Sequence, residues 1–294
     1  MTLGFIGFGE AAYHITKGLR GAGHVALAAW DIHADTPGRG ETIRARAAGT
    51  GTELVHSNRD LAGRCDWILS AVTTNQAQAA LAETAPWLAA RHVYVDMNSV
   101  SPGRKQELDA AVRATGARFV EIAIMAPVPP YLQKVPMLAG GPGAADFRDG
   151  MQPFGMNIEV VGDGIGAAAA TKMCRSIMVK GMEALITECV LGATRYGAAE
   201  KVFASLDETF PGIGWSKLAS YMVGRVVMHG ERRAREMEEV AATLREAGVD
   251  PIMAEATVRR MDWSAEMHLK ERFHGADPAS YGEFAEVVRK LSAG

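Results

Sequence analysis

Cysteine is scarce in this chain. The three residues, Cys65, Cys174 and Cys189, are an odd number with no metal-ligand spacing. That excludes a disulfide framework, and a reduced, cytoplasmic protein is the expectation. No apolar run approaches the roughly 20 residues needed to cross a bilayer, so no membrane partner is expected. An excess of one charge is also missing: 31 Lys and Arg stand against 34 Asp and Glu, for a formal net charge of −3. Nucleic acid is therefore not an expected partner either. Arg232, Arg233 and Arg235 do cluster, but Glu231, Glu236, Glu238 and Glu239 surround them, which reads as a mixed-charge helix. No His/Asp/Glu cluster has ligand spacing, so no metal is expected. Internal repeats and low-complexity tails are absent. With a first strand starting at about Thr2, no signal peptide is expected.

What is present is an ordinary globular composition, 48% hydrophobic and 22% charged, over 294 residues. Such a length suits two domains. The front of the chain, "TLGFIGFGEAAYHITKGLRGAG", reads as a strand (Leu3 to Ile6), a glycine turn (Gly7 to Gly9) and a helix (Ala11 to Leu19). A dinucleotide pyrophosphate site requires that order. Gly7 permits the turn, Gly9 lets the backbone approach phosphate, and amides at the helix start meet its charge. Ala12 fills the third, small position. Phe8, Glu10 and Ala11 complete the candidate cofactor loop, with the Glu10 charge expected to point outward or cap the helix. A second strand, His24 to Trp30, ends in Asp31, 22 residues beyond Gly9. A carboxylate there can accept from ribose hydroxyls and repels a 2′-phosphate, which favours NAD over NADP. Arg39 and Arg44 soften that preference.

Further strands are expected at Asp66–Val72, His92–Ser99, Ala117–Met125, Val135–Gly141 and Asn157–Gly164. Ligands of open α/β sheets bind at the carboxyl ends of strands. This places Thr73, Thr74, Asn98 and Ser99 at the mouth, as cofactor or substrate contacts or as caps of the following helices. After Gly166 the pattern turns helical almost without interruption. The expected division is a Rossmann-type, doubly wound domain over 1–162 and an all-helical domain over 163–294. A helix over 165–191 would span ~40 Å at 1.5 Å per residue.

Inside that helix Lys172, Ser176, Val179 and Glu183 fall on one narrow stripe. Three readings of Lys172 stand at this point. It snorkels to water, pairs with a carboxylate of a neighbouring helix, or exchanges a proton during hydride transfer.

The segments "GFIGFGEAA", "VDMNSVSP" and "GIGAAAATKMCRS" resemble the β-hydroxyacid dehydrogenases, whose members include 3-hydroxyisobutyrate and 6-phosphogluconate dehydrogenases. The resemblance covers about the first 190 residues, and the helical remainder more faintly. It implies NAD(P)-dependent oxidation of a hydroxyl or the reverse reduction. Lys172 is then the general acid/base, and Ser176 with Asn98 orients the substrate oxygen. It also implies a homodimer or higher homo-oligomer.

Two departures mark this chain. Ser176 stands where the family has asparagine, four residues after the lysine. The run "EIAIMAPVPP" (Glu121 to Pro130) replaces the family's acidic residue and proline-valine-serine-glycine-glycine stretch. Met125 and Ala126 take the places of the serine and first glycine, and Pro127 has no amide hydrogen. Fewer donors for a small carboxylate imply a substrate bulkier or less polar than 3-hydroxyisobutyrate. Arg235, in a helix resembling the family's lysine-aspartate-leucine segment, is a candidate carboxylate anchor or a surface ion pair. His229, before an expected helix-breaking Gly230, is a further candidate. A reductase of C=N bonds and a dinucleotide-sensing protein without turnover are the alternative functions.

Overall fold

Strand periodicity in the first unit sorts side chains onto two faces. Leu3, Phe5, Leu69, Val93 and Val95 share one apolar cluster with Ala12, Ile15 and Leu19. Their neighbours Ile6, Ile68 and Tyr94 join a second cluster with Leu61, Leu81 and Leu108. Alternate residues of a strand point to opposite faces, so a sheet with both faces covered is the consequence. The computed structural model of this chain describes residues 2–23 and 26–291. The expected strand start at His24 and Val25 lies outside the described residues.

The elements run β1 (Thr2–Ile6), α1 (Glu10–Ala22), β2 (Ala26–Trp30), α2 (Arg39–Thr50), β3 (Glu53–Leu54), α3 (Asn58–Arg64), β4 (Trp67–Ser70), α4 (Ala77–Thr84), β5 (Val93–Asp96), α5 (Pro102–Arg113), β6 (Arg118–Ile124), β7 (Met137–Gly140), α6 (Ala144–Met151) and β8 (Ile158–Gly162). The strands form one sheet in the order β3-β2-β1-β4-β5-β6-β7-β8. Pairing is parallel from β3 through β6. β7 then runs antiparallel to β6 and parallel to β8. Strand order reverses between β1 and β4, so the switch point lies where Gly7 follows β1 and Ala71 follows β4.

The rest is helical: α7 (Ala167–Arg195), α8 (Ala199–Thr209), α9 (Trp215–Glu246), α10 (Ile252–Glu266), α11 (Leu269–Arg272) and α12 (Tyr281–Leu291). Two compact units result, Met1–Lys172 and Met173–Gly294. The division falls inside α7, whose start is bonded to the first unit. Gly230 does not break a helix, contrary to the expectation. It is buried within α9, and a Cβ there would come within 2.9 Å of the Met261 carbonyl oxygen of α10. Close helix crossing requires the glycine. Among the described residues no helix is long and apolar enough to cross a membrane.

Candidate active site

The nucleotide end is built from backbone. Gly7 has φ +81°, and a Cβ there would lie 2.8 Å from the Ala71 carbonyl oxygen. Only glycine makes that turn so close to β4. Gly9 is the N-cap of α1 and carries no side-chain cap. No atom lies within 4 Å of a Cβ built on it. The first amides of α1 have no intrahelical acceptor, so Gly9, Glu10 and Ala11 open onto a space suited to an anion. Glu10 is exposed. Phe8 behaves differently: its ring is fully buried and its amide donates to Asp31 Oδ2 at 2.7 Å. Asp31 Oδ1 accepts from the His33 amide at 2.8 Å. The carboxylate thus ties the glycine loop to the end of β2, and each oxygen retains a lone pair for a ribose hydroxyl. Arg44 is bonded to the Ala34 carbonyl oxygen in the same loop. These residues fit a dinucleotide.

At the mouth, Asn98 is 4% exposed and nearly saturated. It accepts from the Val72 amide at 2.8 Å and donates to Ser70 Oγ at 3.0 Å and to Asp96. Asp96 in turn holds Lys105 at 2.5 Å, an ion pair buried on both sides that the sequence does not reveal. Asn98 therefore fixes the ends of β4 and β5 relative to each other. Thr73 is exposed and donates to Asn75, while Thr74 donates to the Ser99 carbonyl oxygen at 3.2 Å.

The start of α7 explains the glycine-then-lysine spacing. Gly166 has φ +115°, a conformation L side chains rarely adopt. Its amide and that of Ala168 donate to Glu121 Oε1 at 2.8 and 3.1 Å, and the Ala169 amide donates to Oε2 at 3.4 Å. Glu121 is fully buried on β6, 45 residues upstream, and does what an N-cap side chain does. From this anchored turn Lys172 Nζ donates to Ser99 Oγ at 2.5 Å. Met125 is half-buried, and its amide is taken by the Pro136 carbonyl oxygen at 2.9 Å. Ala126 sits against the apolar core and Pro127 is exposed.

In the second unit Ser176 is 7% exposed and accepts from Lys180 Nζ at 3.1 Å. Lys180 also meets Glu236 of α9 at 3.0 Å, and Glu183 pairs with Arg233 at 2.6 Å. Burial pulls the Lys180 pKa below the usual lysine value. Burial likewise pushes the Glu183 carboxyl up to about 7, against the pull of Arg233, Arg225 and Lys180. His229 is half-buried and driven down to about 4, by burial first and then by Arg225, Arg232 and Arg233. Arg235 is exposed and bonded to Glu238 and Asp262. The surface ion-pair reading describes its position, with Glu238 as a partner on its own helix. Lys180, Arg233 and Glu236 do not stand out in the sequence as site residues. A signal for Lys180 exists there, as a second lysine eight residues after Lys172 on one apolar helix.

Residues 2–145 match the family described as the NAD binding domain of 6-phosphogluconate dehydrogenase. Residues 193–264 match a domain of unknown function, DUF1932. A conserved hypothetical protein from Sinorhizobium meliloti is 38% identical with a TM-score of 0.79, over 99% of this chain and 96% of that one. Another conserved protein of unknown function, described as structurally similar to 3-hydroxyacid dehydrogenases, is 31% identical with a TM-score of 0.73, over 94% and 100%. The 3-hydroxyisobutyrate dehydrogenase of Mycobacterium tuberculosis shares the fold at 16% identity and a TM-score of 0.69, over 99% and 98%. A dinucleotide-binding first unit, a helical second unit and relatives that match along the whole chain lead to one placement: this chain belongs to the β-hydroxyacid dehydrogenase superfamily of NAD(P)-dependent oxidoreductases.

Proposed function

We propose that the protein transfers hydride between a nicotinamide dinucleotide and the hydroxyl or carbonyl carbon of a substrate bulkier or less polar than 3-hydroxyisobutyrate. The observation that carries this reading is the Lys172–Ser99 contact of 2.5 Å. It holds an ammonium at the residue that follows β5 and Asn98, at the carboxyl edge of the sheet. The nicotinamide supplies the hydride acceptor when bound. Neutral Lys172 takes the hydroxyl proton in oxidation and, as the ammonium, gives it back in reduction. Ser176, one turn later on α7, orients the substrate oxygen, and Asn98 keeps the strand ends in register. Substrate size follows from the loop after β6, where the Met125 amide is occupied and Pro127 has none to give. Asp31 supports NAD over NADP through ribose hydroxyls. Cys65, Cys174 and Cys189 are all unpaired, which suits the reducing cytoplasm. The exposed Met178, Leu185 and Tyr221 of the helical unit suit a homodimer or higher homo-oligomer.

The test is oxidation of NADH and of NADPH, followed by absorbance, against pools of 2- and 3-oxo acids graded by side-chain size. Turnover with the larger, less polar pools and preference for NADH support the reading. Dinucleotide binding with no turnover on any carbonyl pool would refute it.

A further inference from the structure

The Ser176–Lys180 contact has a fixed polarity. An ammonium carries three N–H donors and no acceptor, so Lys180 donates and Ser176 Oγ accepts. Glu236, itself paired with Arg232 at 2.5 Å, holds Lys180 from the other side at 3.0 Å. Lys180 is 8% exposed, which leaves it little room to turn away. The serine has one proton to place. Hydroxyls inside helices commonly return it to the carbonyl one turn back. Two residues of this same helix do so: Thr171 bonds the Ala167 carbonyl oxygen at 2.9 Å, and Thr187 bonds that of Glu183 at 2.7 Å. Among the described residues Ser176 makes no such bond. Its proton is left to a group outside the helix.

We propose that Lys180 is a positioning residue: by donating to one lone pair of Ser176 Oγ it biases the hydroxyl toward donating to the substrate, and so favours an acceptor oxygen over a protonated imine. This rests on the hydride-transfer reading above and extends it to substrate class. An amide at position 176 would offer both a donor and an acceptor. A serine whose oxygen is engaged by an ammonium offers a polarised O–H, because a charged donor strengthens the next bond in the chain. A carbonyl or alkoxide oxygen completes that chain. An iminium N–H cannot take the serine's proton; it could only donate to the remaining Oγ lone pair, which brings a second positive charge toward Lys180. Burial weakens the ammonium form of Lys180 while Glu236 and Glu183 support it. The two carboxylates are thus part of the same arrangement.

A double-mutant cycle on the intact enzyme tests this, using Lys180→Met, Ser176→Ala and the double variant. The readouts are kcat and KM on a carbonyl substrate, with NADH affinity and Tm as controls. Each single change is expected to lower kcat/KM roughly ten-fold, mainly in kcat, and the double variant to fall no further than Ser176→Ala. Multiplying losses, or a Lys180→Met enzyme with wild-type kcat, would overturn the proposal. If Lys180→Met does not fold, Lys180→Gln serves, since its amide both donates and accepts. Its ratio of carbonyl to imine kcat/KM is expected to fall roughly ten-fold, and an unchanged ratio overturns the proposal. Wild-type turnover separates the two failures. Carbonyl reduction with an additive cycle removes only the role of Lys180. A wild type that reduces no carbonyl removes the hydride-transfer reading and this inference with it.

Discussion

α1 and α7 both begin just after a glycine, and their first turns end up with opposite fates. α1 starts at Gly9 with no side chain on its first amides and nothing within 4 Å of the place a Cβ would take. α7 starts at Gly166, and Glu121 fills the same position with a buried carboxylate that takes three amides. The positive end of a helix attracts an anion in either case. Where the chain supplies the anion itself, the terminus becomes an anchor. Where it supplies none, the terminus stays open for phosphate. One device occurs twice here, once left open beside the glycine loop and once closed to fix the turn from which Lys172 emerges.

Closing the open terminus breaks the comparison most severely. Gly9 has φ −74° and ψ −161°, extended backbone that any residue adopts. Gly9→Asp places a carboxylate where Glu121 stands for α7, and it repels pyrophosphate. Dinucleotide affinity is expected to fall roughly 100-fold or more, read by fluorescence titration. Tm should not drop, because Asp is a good N-cap. Opening the closed terminus comes next. Glu121→Ala leaves three buried amides without their acceptor and is expected to cost about 1–3 kcal/mol in urea unfolding. NADH affinity should persist, since α1 is untouched.

The smallest effect sharpens the comparison by leaving both termini alone. The His229 pKa in the fold lies near 4, below its ordinary 6.5. Above pH 6.5 the residue is neutral in both folded and unfolded chains. As pH falls from 6.5 toward 4 the unfolded chain takes a proton that the fold refuses, so stability is lost in that window. His229→Gln removes this contribution, and its Tm should decline less steeply over the same range.

The open terminus is legible in sequence and the closed one is not. Gly7, Gly9, Ala12 and Asp31 lie within one strand-turn-helix-strand unit, so local spacing reports their arrangement. Glu121 meets Gly166 from 45 residues away. In sequence it reads as part of an altered substrate motif, since nothing local shows a carboxylate reaching a distant helix. β3, two residues long, leaves no apolar run to see, and the reversal of β7 leaves no trace in hydrophobicity. Gly230 looks like a breaker because its reason, the Met261 carbonyl oxygen, belongs to another helix. Arg233 hides among its charged neighbours. Arg232 and Arg235 keep the surface pairs expected of a mixed-charge helix, whereas Arg233 is 6% exposed and turned to Glu183. The family resemblance marks position 176, but its partner Lys180 appears only when helix and side chain are seen together.

Lys172→Ala is the variant that tests the central claim, assayed beside wild type for turnover on the active carbonyl pool and for NADH binding. The account predicts turnover lower by at least about 100-fold, with NADH affinity and Tm close to wild type. Turnover within a few-fold of wild type would contradict it and leave Lys172 as a strut between α7 and Ser99.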